Sequence, residues 1–130
     1  MREKVREGGG FQEAAAYSRA VRVGHHVAVS GTAPLDGADV LHPGDLYGQT
    51  LAALRKALAA AAELGAQPAD VIRTRLLLAN GAPWEGAVRA HQEVFAGIDP
   101  ANTSYYVAGF IPDGVLVEVE IDAVVADPPR

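Results

Sequence analysis

There is no cysteine in this 130-residue sequence. Disulfides, thiolate nucleophiles and cysteine-ligated metals are thereby excluded. Basic residues are also in short supply: 11 Lys and Arg stand against 16 Asp and Glu, a formal charge of -5 at pH 7. Binding nucleic acid needs a clustered basic surface, so nucleic acid is not an expected partner. Only "MREKVR" at the start is locally basic, and such a terminus is expected to be a solvated tail. Long apolar runs are missing as well. The longest apolar-looking one, "LAAAAELGA", is too short and too rich in alanine to span a bilayer, and the first residues contain no apolar core of a secretory signal. Internal repeats and linkers are absent too. These absences predict a single domain over residues 1–130, with 1–10 and 126–130 as flexible ends. It is expected in the cytoplasm and away from membranes.

What is there reads as a small globular protein, 49% hydrophobic. "YSRAVRVG" and "HHVAVSG" alternate around Gly24, which predicts an antiparallel hairpin within 16–30. "APLDGADVLHPGD" carries prolines and Asp/Gly turn formers and predicts a loop. Asp45 suits an N-cap, Leu51, Leu54, Leu58 and Ala61 recur at helical spacing, and Gly65 stands where a helix ends. "ADVIRTRLLLAN" predicts a strand in which Ile72, Thr74 and Leu76 face away from Arg73 and Arg75. Pro83 opens a second helix whose face carries Trp84, Val88, His91 and Phe95. "TSYYVAGF" and "VLVEVEIDAVV" predict two more strands. The order β-β-α-β-α-β-β implies an α+β two-layer sandwich with a mixed sheet and both helices on one face. The uncovered face carries Arg73 and Arg75 with Glu118, Glu120 and Asp122, which suits a polar junction between subunits.

The strings "YSRAVRVGHHVAVSGTAP", "ADVIRTRLLL", "AVRAHQEVF", "DPANTSYYVAGF" and "LVEVEIDAVV" run from Tyr17 to Val125. In that order and spacing the chain resembles the Rid family of reactive intermediate deaminases, also called YjgF-like or endoribonuclease L-PSP proteins. The resemblance implies a chorismate-mutase-like fold, a homotrimer, and small-molecule pockets in the clefts between subunits. It further implies hydrolysis of imines and enamines without metal or organic cofactor.

Carried over by position, the resemblance makes Glu118 the general acid/base, and Tyr17, Ser30 and Gly31 pocket residues. Each has a plainer reading: Tyr17 as an amphipathic-strand residue, Ser30-Gly31 as a turn, Glu118 as one acid of an interfacial charge network. The family's carboxylate-binding arginine is replaced by Asn102, which cannot offer a charged fork. The usual amino-acid-derived imines are therefore not expected to be good substrates, although Asn102 is still expected to line the pocket. Arg89, Arg19 and Arg75 are candidates to take over that grip, or else form salt bridges. His91 reads as a core or interface histidine, or as a proton shuttle. Tyr105 or Tyr106 should face the cleft, and Tyr105 is taken as a ligand-binding residue. No two histidines have metal-ligand spacing, so no metal is expected. Three functions follow as expectations: a hydrolase of non-standard specificity, a non-catalytic binding trimer, and, least supported by the acidic charge, an endoribonuclease.

Overall fold

Helical and alternating segments sort into two layers because each has one apolar side to cover. The computed structural model describes residues 1–7 and 10–126; the expectation of flexibility for 8–9 and 127–130 lies outside the described residues. Along the chain run β1 (Arg2–Val5), α1 (Gly10–Ala15), β2 (Ala20–Val23), β3 (His26–Thr32), β4 (Leu35–Asp36), β5 (Asp39–Val40), α2 (Leu46–Glu63), β6 (Val71–Ala79), α3 (Glu85–Phe95), β7 (Ala101–Val107) and β8 (Val117–Val124). Six strands form one sheet in the order β1-β2-β3-β8-β6-β7. The β6–β7 pair, joined through α3, is parallel and the other pairs are antiparallel. This is the expected mixed sheet with two long helices on one face.

In β8, Val117, Val119, Ile121 and Ala123 are buried under the helices, and Glu118, Glu120 and Asp122 lie half-covered on the other side. Asp45 caps α2 by accepting from the Gly48 amide, and Gly65 takes the positive φ of +90° that ends it. The buried side of α2 includes Gln49, Ala53, Leu54, Ala57 and Ala61. Its alanines allow close approach to the sheet. Gln49 donates to the Gly114 carbonyl and accepts from the Leu116 amide, which pins the segment leading into β8.

Several expectations need correction. Arg2–Val5 is not a solvated tail but an edge strand along β2. The free edge of a hairpin is a ready template for backbone pairing, and charged side chains then guard the new edge. Tyr17 precedes β2 rather than lying in a strand. The expected loop after β3 contains a small hairpin, β4–β5, closed around Gly37. A register shift between Val71 and Arg73 turns Ile72 out to 50% exposure, away from buried Thr74 and Leu76. In α3 the buried residues are Ala87, Ala90 and Phe95, while Trp84 and Val88 are 52% and 49% exposed. Apart from Phe95, small side chains face the sheet, and Trp84 and Val88 are left on the flank towards β7.

Candidate functional site

The sequence-predicted site residues separate onto the two faces of the sheet. On the face without long helices, Arg19, Gly31 and Glu118 line one hollow of about 330 Å³ with Phe11, Tyr17 and Lys56. On the helix side, by β7, His91, Asn102 and Ser104 line another of about 310 Å³.

Glu118 owes its position to Gly31. A methyl group built on Gly31 would lie 2.6 Å from Glu118 Oε1, so the carboxylate fills the space a larger residue would take. Arg19 Nη2 donates to the Gly31 carbonyl at 2.8 Å. The Arg19 backbone is itself held between the Val5 carbonyl and the Ser30 amide. Burial pushes the Glu118 carboxyl above its ordinary value, Arg19 opposes this, and Glu120 adds to it. The other two acids of β8 are engaged elsewhere: Arg75 meets Glu120 at 3.2 Å and Asp122 at 3.6 Å. The charge-network reading therefore describes Glu120 and Asp122, while Glu118 stands apart from it in the hollow. Ser30 donates to the Ser18 carbonyl and lines a neighbouring hollow with Tyr17 and the basic residues of β1.

Across the sheet, four side chains form a chain of hydrogen bonds. Ser104 Oγ donates to Asn102 Oδ1 at 2.8 Å, and Asn102 Nδ2 donates to Thr74 Oγ1 at 3.0 Å. The same amide nitrogen faces the Thr74 carbonyl at 3.5 Å. A carbonyl can only accept, which sets the orientation of the Asn102 amide. The Thr74 hydroxyl also meets His91 Nε2 at 2.7 Å, as donor when the imidazole proton is on Nδ1 and as acceptor when it is on Nε2. Burial lowers the pKa of His91, favouring the neutral imidazole. Its ring packs 4.7 Å from that of Phe95.

The remaining candidates lie outside both hollows. Arg89 stacks on the Tyr47 ring, 4.0 Å from its centroid, in the groove between α2 and α3. Tyr105 pairs with Leu77 and Tyr106 with Leu78, so they face opposite sides of β7. Tyr106 donates to the Ala82 carbonyl, and both border a hollow with Trp84 and Val88. Lys56, Phe11, Thr74 and Ser104 were missed from the sequence. Only the closeness of Ser104 to Asn102 signalled any of them. Among the described residues no three His, Asp or Glu side chains group as metal ligands.

The profile of the endoribonuclease L-PSP family matches residues 10–125. The chain belongs to that family, the YjgF/Rid family. An uncharacterised Streptomyces coelicolor protein, SCO2049, is 39% identical over 120 residues, covering 92% of this chain and 90% of its own length. The crystal structure of Rv2704, a YjgF/YER057c/UK114 family member from Mycobacterium tuberculosis, superposes with a TM-score of 0.84 at 38% identity, covering 96% of this chain and 100% of that one. A RutC family protein of Pyrococcus abyssi is 29% identical over 105 residues, 80% of this chain and 82% of its own. For this Rid-family chain the likeness supports a small-molecule function of the family's general type. No helix among the described residues is long and apolar enough to cross a membrane.

Proposed function

We propose that this protein is a cofactor-independent hydrolase of small imines or enamines, acting in clefts between the subunits of a homotrimer. The observation that carries this reading is Glu118: a half-buried carboxyl of raised pKa, seated against Gly31 beside Arg19 in a hollow of about 330 Å³. That volume suits a small metabolite. In the reaction Glu118 takes a proton from water as the water oxygen adds to the C=N carbon of the protonated imine, which gives a neutral carbinolamine. As the carbinolamine breaks its C–N bond, Glu118 returns its proton to the departing nitrogen, the hydroxyl proton passes to solvent, and ammonia and a carbonyl compound leave. A carboxyl whose pKa is raised towards the working pH serves both steps. Trimer formation would set the His91–Asn102 hollow of one subunit beside the Glu118 hollow of the next.

One observation favours a second reading, a trimer that binds small molecules without turning them over. The Asn102 amide is used by Thr74 and Ser104, so the position where the resemblance implies a carboxylate-binding arginine is committed here to neighbouring side chains. A panel of freshly generated imino acids, assayed for carbonyl product, separates the two. Glu118→Gln is expected to abolish hydrolysis, a loss of 100-fold or more on the order of general acid/base contributions, with the sedimenting mass unchanged. No acceleration over buffer on any substrate would leave the binding reading.

A further inference from the structure

Arg19 is a buried cation with few partners. The residue is 9% exposed. Of its five N–H groups, one donates to the Gly31 carbonyl. Nε is buried without a hydrogen-bond partner among the described residues, and the nearest acid, Glu7, is 3.9 Å from it and 43% exposed. Guanidinium groups withdrawn from water are normally matched by an anion and by hydrogen bonds. The other arginines that could grip a ligand are more closely engaged: Arg75 by Glu120 and Asp122, and Arg89 by the Tyr47 ring at 4.0 Å, against 5.9 Å between Arg19 and the Tyr17 ring. The hollow around Arg19 is also one negative charge short. Arg19 and Lys56 line it, and Glu118 is the one acid among its lining residues. The rest of the wall includes Phe11, Tyr17 and Ile111.

We infer that Arg19 is the anion-recognising residue of the Glu118 hollow, and that its ligand is a small organic carboxylate. The acid group docks on the free guanidinium N–H groups, and the carbon body lies against Phe11, Tyr17 and Ile111. A second negative charge beside Glu118 balances Arg19 and Lys56. The grip expected at position 102 is thus supplied from the opposite face of the sheet, by a planar fork suited to bidentate carboxylate binding. This rests on the reading of the hollow as the ligand site, but not on turnover.

The test is binding of matched acid and amide pairs, phenylacetate with phenylacetamide and 2-oxobutanoate with 2-oxobutanamide, by calorimetry on the intact protein. The acids should bind about tenfold or more tightly than the amides, as loss of a charged partner at a buried site implies. Arg19→Gln should remove the preference by weakening the acids alone, with circular dichroism and sedimenting mass unchanged. Should that variant not fold, Arg19→Lys decides, since an ammonium keeps the charge and loses the fork: the preference should shrink. Equal affinity for acid and amide, no acid binding at millimolar concentration, or a preference indifferent to Arg19 overturns the inference. An intact, Arg19-dependent preference without any turnover sinks the hydrolase and leaves the inference standing.

Discussion

Asn102 ties two strands and a helix together through one amide, and the consequence reaches His91. Asn102→Ala leaves buried Thr74 without its donor, so a loss of about 1–2 kcal/mol in denaturant unfolding is expected. The imidazole nitrogen resonances of His91 should shift at the same time, because the hydroxyl that His91 meets loses its other partner. An unchanged pattern would show that the chain of hydrogen bonds does not reach His91. Glu118 acts at the same scale through pH. Its carboxyl pKa is raised in the folded state, so the folded protein holds the proton more tightly than the unfolded chain. The associated stability is complete below the ordinary glutamate pKa and is lost as pH rises through the folded value. Glu118→Gln should therefore match the parent in stability near pH 3 and be the more stable of the two at pH 8, as thermal melts at both pH values would reveal. The reverse order would mean that Arg19 outweighs burial.

At the scale of elements, the decisive feature is the end of β3, where the register with β8 shifts between Val29 and Thr32. The irregularity spans Ser30 and Gly31, and Gly31 leaves the gap that Glu118 Oε1 fills. Gly31 does not have a positive φ, so alanine suits its backbone and meets only a movable carboxylate. Gly31→Ala is expected to change stability by less than about 1 kcal/mol while displacing Glu118 and lowering turnover at least tenfold. Loss of stability with normal turnover would place the role of Gly31 in the fold alone. The helices show a related division of labour. Ala87 and Ala90 bring α3 down onto the sheet, and this proximity lets His91 reach Thr74.

For the whole molecule, two groups stand out among the exposed apolar side chains. Trp84, Val88, Tyr105 and Tyr106 lie by the β7 edge, and Phe11, Tyr17 and Ile111 lie around the Glu118 hollow. Patches of this kind mark interfaces, and two different patches meeting head to tail close a ring when the rotation allows it. Sedimentation should give three times the chain mass. Trp84→Glu should shift the protein towards monomer and weaken ligand binding in parallel. A monomeric parent protein that still binds carboxylates would refute the inter-subunit cleft.

The alternation of valines and acids in 116–125, the Asp45 cap and the Gly24 and Gly65 turns determine the layered α+β fold, because backbone periodicity and capping are local. The same local signals identify Glu118, Gly31 and Asn102 as residues of interest. They do not reveal that Glu118 and Asn102 lie on opposite faces, that Arg19 rather than Arg89 stands beside Glu118, or that the Arg2–Val5 segment closes the sheet edge. Those facts depend on register, on one shifted strand pairing and on which helix flank meets the sheet. Such contacts join residues far apart in the chain, and only the tertiary structure sets them.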